Sequence, residues 1–226
     1  MRAAGARPVH LHKVASLRSG RKCPVTGGSH GVVWLCLDAC SWLSGAVAGR
    51  TRGAVSRRVR APRLSDPIVL SHAQALLTSS PEGMTDYIQA DLRDTDTILK
   101  GAARILDFTR PVAILLIAVL HFIPDADDPY AIVARLMDAA PSGSYLVMAH
   151  AASDIAPEAS AEMARRYNQM ASATVTPRTR DQLARFFTGL DLLPPGLVPI
   201  SKWALSGPID STTGVLVGYC AIARKP

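Results

Sequence analysis

The sequence predicts an α/β fold, and three observations carry that expectation. Val112 to Leu120 is an unbroken apolar run bounded by Pro111 and a polar turn, the pattern of a strand in a parallel sheet buried on both faces. Its length falls well short of the ~20 apolar residues a membrane helix needs. From Asp66 onward, strand-like and helix-like periodicities alternate. Finally, Asp66-Pro67 and Asp128-Pro129 each pair a capping carboxylate with a proline suited to the first helical position.

Taken in order, the first helix follows Asp66-Pro67 through Ile68, Val69, Ala73, Leu76 and Leu77. Thr85 to Leu92 reads as a short strand ending at Asp91, and Thr95 to Phe108 places Ile98, Leu99, Ala102, Ile105 and Leu106 on one helical face. The central strand comes next, then a helix carrying Ile132, Val133, Leu136 and Met137. Pro141-Ser142-Gly143 turns the chain into another buried strand, Ser144 to His150, completing a βαβ unit. Glu158 to Ala171 is an amphipathic helix, and Thr179 with Gln182 forms a capping box for a short helix bearing Leu183, Phe186 and Phe187. Leu190 to Trp203, interrupted by Pro194-Pro195-Gly196, and Gly214 to Arg224 close the chain as an antiparallel hairpin at the sheet edge.

The 226 residues divide into two compositions. Residues 1–63 carry 12 Lys or Arg against one acid, Asp38, whereas residues 64–226 carry 13 against 17, so the net charge of +7 describes neither part. Cys23, Cys36 and Cys40 lie in the first part and Cys220 alone in the second, which argues for a reducing, cytoplasmic setting without a disulfide framework. Residues 1–64 are expected to be a basic, cysteine-containing leader without sustained periodicity, disordered or read out of frame, with an α/β domain over 65–226. Three sharper functions for the leader are disfavoured. It lacks a folded motif for reading nucleic acid, Asp38 interrupts its apolar stretch where an export or anchor signal would not tolerate a carboxylate, and its C-x12-C-x3-C spacing matches no paired zinc site.

The ordered runs D-P-I-V-L-S-H-A-Q-A-L-L, Y-I-Q-A-D-L-R-D-T-D-T-I-L, R-P-V-A-I-L-L-I-A-V-L-H-F-I-P-D-A-D-D-P-Y, P-S-G-S-Y-L-V-M-A-H, R-T-R-D-Q-L-A-R-F-F and G-Y-C-A-I-A-R-K-P resemble the S-adenosylmethionine-dependent methyltransferase family once catalogued as a bacterial domain of unknown function. The resemblance covers about residues 66 to 226. It implies a Rossmann-like methyltransferase sheet with an antiparallel C-terminal edge hairpin, S-adenosyl-L-methionine as cofactor and a small-molecule methyl acceptor, with no membrane partner. It also implies a V-D-N-D-P run where this chain reads R-L-S-D-P, from Arg63 to Pro67, and a D-x-G-x-G loop further upstream. The ribose-binding acid therefore falls on Leu64, and no G-x-G follows an apolar strand. A sheet short of its first strand or strands is expected, with cofactor binding weakened or lost.

Several residues are candidates for the site. Asp91 and Leu92 resemble the adenine-edge acid and its backbone partner, although Asp91 would serve equally as a cap for the helix after it. Ala118, Leu120 and Asp66 are the remaining cofactor-binding candidates. His121, at the end of the central strand, suits a catalytic base or an orienting group, or a satisfied histidine closing the strand. Asp125, Asp127 and Asp128 read as a solvated turn and helix cap before they read as a cation site, and no metal is expected. His150 and Tyr167 would line an acceptor pocket or simply pack. Three function classes follow: a methyltransferase, a non-catalytic remnant or interaction domain, and nucleic-acid binding through the leader.

Overall fold

The computed structural model describes residues 10–17, 31–36, 83–170, 174–203 and 217–226. Strands β1 (His10–Leu17), β2 (Gly31–Cys36) and β3 (Gly83–Ala90) come first, followed by helix α1 (Thr95–Ala102) and strand β4 (Val112–Ile117). Helix α2 (Pro129–Asp138), strand β5 (Tyr145–Ala151), and helices α3 (Pro157–Met170) and α4 (Arg180–Ala184) come next, and three strands, β6 (Asp191–Leu192), β7 (Val198–Pro199) and β8 (Gly218–Arg224), complete the order.

One mixed sheet runs β3-β1-β2-β4-β5-β8-β6, with β7 also paired to β8. Its centre, β2-β4-β5, is parallel. β1 runs antiparallel to both β2 and β3, and β8 is antiparallel to β5, β6 and β7. The expected edge hairpin is therefore present: Asp191–Leu192 and Val198–Pro199, on either side of the Pro194-Pro195-Gly196 interruption, both pair with β8. His10–Leu17 and Gly31–Cys36, in the leader whose sequence shows no sustained strand periodicity, are the two strands between β3 and β4. Ladder pairing with β3 and β4, invisible to a local pattern, makes strands of them. The helix expected after Asp66-Pro67 lies outside the described residues.

β4 is buried at every position because the sheet is covered on both faces. Val112, Ile114 and Leu116 join Leu146 and Met148 in the larger core, while Ala113, Leu115 and Ile117 join Ala149 and Ile200 on the opposite face. α1 contributes Ile98 and Ala102 to the larger core. It approaches β3 closely because residue 101 is glycine, where a Cβ would come within 2.6 Å of the Ile88 side chain. The α1 cap is Asp94, whose side chain accepts from Thr97 N, so capping falls to Asp94 and not to Asp91. α2 starts as its sequence indicates, with Asp128 accepting from Ala131 N and Pro129 in its first turn. It buries Ile132, Val133, Leu136 and Met137. The Thr179–Gln182 capping box opens α4.

The strand expected to reach Leu120 ends at Ile117. Ala118 has φ +53, a left-handed conformation that an alanine adopts only when its surroundings impose it. Its N–H still donates to Ala149 O at 2.9 Å, but the chain then leaves the ladder for a 3-10 turn over Leu120–Phe122. A second such turn, Asp125–Asp127, leads into α2.

Candidate functional site at the carboxyl edge of the sheet

The carboxyl ends of β3, β4 and β5 meet at one edge, the usual ligand edge of an open α/β sheet. The break at Ala118 aims the following turn, and with it His121, into the interior: His121 is 8% exposed. Thr176 N donates to His121 O at 2.7 Å and anchors its backbone. The ring lies against Phe122, with centroids 4.4 Å apart, and edge-on to His150 at 5.6 Å. Among the described residues, His121 Nδ1 is the buried side-chain polar atom that has no hydrogen-bond partner. Burial, and secondarily the Arg178 charge, push the imidazole pKa down to about 4, so His121 is neutral at physiological pH.

His150 is also buried, but its bonds are complete. Nδ1 lies 2.8 Å from Ala151 O and must donate to it, since a carbonyl only accepts; Nε2 is then left to accept from Arg178 Nη1 at 2.9 Å. Burial, the neighbouring His121 and the Arg178 charge hold His150 well below the usual imidazole range, opposed by the Ala151 hydrogen bond. Beyond this pair, Phe122 stacks obliquely on Tyr167 of α3 at 5.6 Å, and Tyr167 is 37% exposed. The structure thus gathers His121, His150, Phe122 and Tyr167 at one end of the edge.

The other end is made of charges. Asp91 accepts from Arg93 N at 2.9 Å and from Arg93 Nη1 through both carboxylate oxygens, at 3.0 and 2.9 Å. Arg93 Nε donates at 2.7 Å to Asp127, which ties the turn after β3 to the turn after β4. The three carboxylates of the D-A-D-D run thus divide: Asp125 accepts from Arg178, Asp127 from Arg93, and Asp128 caps α2. Leu92 and Leu120 are both 0% exposed, with their side chains in the core. Leu120 O is taken by Arg178 and Ile123 N, so neither its side chain nor its carbonyl is presented outward. Asp66 lies outside the described residues.

Arg178 is the residue sequence reasoning missed. An arginine next to a capping threonine reads as a surface residue, and nothing local signals that its side chain is only 1% exposed. A second omission is the strand β2. It pairs in parallel with β4, although its residues show no sustained strand periodicity.

Strand order, parallel centre and ligand edge define a Rossmann-like methyltransferase fold. Residues 52–226 match the model of the S-adenosyl methyltransferase family, and the chain belongs to that family. It is similar to the crystal structure of a DUF574 family protein from Streptomyces avermitilis MA-4680, at 42% identity and a TM-score of 0.63 over 71% of this chain and 63% of that one. It is also similar to a candidate methyltransferase from Thermobifida fusca YX, at 32% identity and a TM-score of 0.60 over 71% of this chain and 60% of that one. The match thus spans less than two thirds of either relative. No curated protein matches the chain.

Proposed function

We propose that the chain transfers a methyl group from S-adenosyl-L-methionine to a small-molecule acceptor at this edge, with His121 accepting or orienting the acceptor's proton. The observation that carries the reading is the buried, neutral His121 with a vacant Nδ1, set by the left-handed Ala118 at the end of the central strand. A base must be unprotonated to take a proton, and an unmet buried polar atom is costly until a partner reaches it.

The residues present fit one end of the cofactor. Asp91 supplies a carboxylate at a strand end for an exocyclic amine, Leu92 its backbone, and Ala118 a small side chain where the chain turns away. Leu120 serves this end by positioning the turn and not by direct contact, and Asp66 is kept as a cofactor-binding candidate on the resemblance alone. When bound, the cofactor supplies an electrophilic methyl group on a sulfonium. The protein's part is to align the acceptor, exclude water with Phe122 and Tyr167, and hold the acceptor proton at His121. Such alignment accounts for much of the rate in reactions without a covalent intermediate. A cytoplasmic setting accords with the lone Cys220 of the family region.

Titrating the full chain with S-adenosylhomocysteine in a calorimeter tests this. Saturable binding is expected, weakened about tenfold or more by Asp91→Ala, the loss of a charge-assisted hydrogen bond. Absence of any heat of binding would favour the second reading, a non-catalytic remnant, for which Leu64 in the place of the ribose-binding acid is the supporting observation. A separate proposal is that residues 1 to about 64 are out of frame; translating the DNA in its other two frames should then yield D-x-G-x-G upstream of Asp66, and its absence would sink the idea.

A further inference from the structure

Three polar side chains are buried together at the β4 and β5 ends, and their hydrogen-bond capacities differ. A guanidinium has five N–H donors. Arg178 uses all five: Nε donates to Asp125 Oδ1 at 3.1 Å, Nη1 to Leu120 O at 3.2 Å and His150 Nε2 at 2.9 Å, and Nη2 to Ile123 O at 2.8 Å and Asp125 Oδ1 at 2.7 Å. No donor is left for a ligand. His150 is likewise filled on both nitrogens.

The pattern of partners shows what the arginine does. Leu120 and Ile123 bracket His121, so one planar fork fixes the carbonyls on both sides of the turn that carries it. Arg178 is itself placed by the continuation of β5: its N–H donates to Ala151 O at 3.1 Å and its carbonyl accepts from Ser153 N at 3.0 Å. Thr176, two residues earlier, holds the His121 carbonyl. The titratable and charged groups around His121 are Arg178 and His150, with Asp125 bound to Arg178 and Tyr167 reached through Phe122.

We propose that Arg178 is the positioning residue of the His121 site, fixing the turn on both sides of His121 and, together with Ala151 O, holding His150 as its neutral Nδ1–H tautomer. His121 is thereby the member of the trio left open to an incoming O–H or N–H. The link to an acceptor rests on the function proposed above; the fixed turn and the tautomer do not. A lysine cannot replace the fork, because it offers three donors from one point and no planar geometry.

Nitrogen-15 NMR of the full chain with labelled histidine tests the proposal, with His121 and His150 signals assigned by His121→Gln and His150→Gln. In the unsubstituted protein, His150 should show a protonated Nδ1 and a bare Nε2, and neither histidine should titrate between about pH 5.5 and 8. Arg178→Lys retains the charge and loses the fork: His150 should keep its Nδ1 proton on Ala151 O while its Nε2 signal shifts, and the His121 signals should broaden as the turn loosens, with His121 staying neutral. Arg178→Met removes both, and the His121 titration should also rise by about one pH unit or more. A His150 protonated at Nε2, or both histidines unchanged in both variants, would overturn the proposal. The unsubstituted protein decides the tautomer even if a variant fails to fold. Cofactor titration is a separate readout, so histidine signals as expected in a chain that binds no cofactor would sink the function and leave the role of Arg178 standing.

Discussion

The turn after β3 and the turn after β4 share one edge of the sheet and are held by opposite means. At the first, Arg93 links Asp91 and Asp127, with side chains 21%, 16% and 36% exposed. At the second, the charge of Arg178 is buried and met by one carboxylate, two carbonyls and an imidazole. Water screens the first set, where an ion pair contributes about 0–1 kcal/mol and its partners exchange readily. The second is buried around Arg178 itself, with the Asp125 carboxylate on its solvent side at 58% exposed, so the arginine's geometry is fixed and a lost carbonyl or imidazole contact leaves a buried polar group unmet. An exchangeable cluster suits the polar end of an arriving ligand, and a rigid one suits the group that must meet a reacting atom.

That contrast is broken most directly at Arg178. Arg178→Met takes the arginine's donors from the Ile123 carbonyl and His150 Nε2 and leaves the Leu120 carbonyl with Ile123 N alone, and a loss of about 3–5 kcal/mol of unfolding free energy is expected, read from urea denaturation. A loss under about 1 kcal/mol would mean that the second turn is as exchangeable as the first. Acid provides the next largest effect. His121 binds its proton more weakly folded than unfolded, so below its ordinary pKa the unfolded state holds more protons and stability rises with pH. Its contribution is fully present above about pH 6.5 and is lost as pH falls toward the folded value of about 4, a change on the order of 3 kcal/mol. His150, shifted in the same direction, steepens the loss. Thermal melts from pH 7 to pH 4 should show the decline, and His121→Leu should flatten part of it.

The contrast also separates what a sequence discloses from what it conceals. β4 was legible because an unbroken apolar run has few homes other than a doubly covered strand, and the caps at Asp128 and Thr179 were legible because capping is local chemistry. Asp91 was legible as a strand-end acid, but its engagement with Arg93 and, through it, Asp127 was not: that link joins residues 34 apart in the chain. Arg178 is the harder case. Its partners lie 28 to 58 residues away, and only the assembled edge makes a buried arginine tolerable. Ala118 gives no local sign of its left-handed backbone, which is why the strand was expected to run on to Leu120. β1 and β2 escaped for the same reason, since their pairing and not their periodicity makes them strands.

The smallest effect sharpens the comparison most. Arg93→Ala removes the link between the two turns, yet its charges are partly solvated, so the expected cost is under about 1 kcal/mol in urea denaturation. The same change frees the Asp91 carboxylate, which in the intact chain accepts three hydrogen bonds from its neighbour. If Asp91 serves the adenine end of the cofactor, Arg93 competes with that ligand. Its removal should then leave S-adenosylhomocysteine affinity equal or higher while barely moving stability. A stability loss comparable to that of Arg178→Met would show that both turns are built alike, whereas a tenfold fall in affinity would make Arg93 part of the cofactor's own cradle.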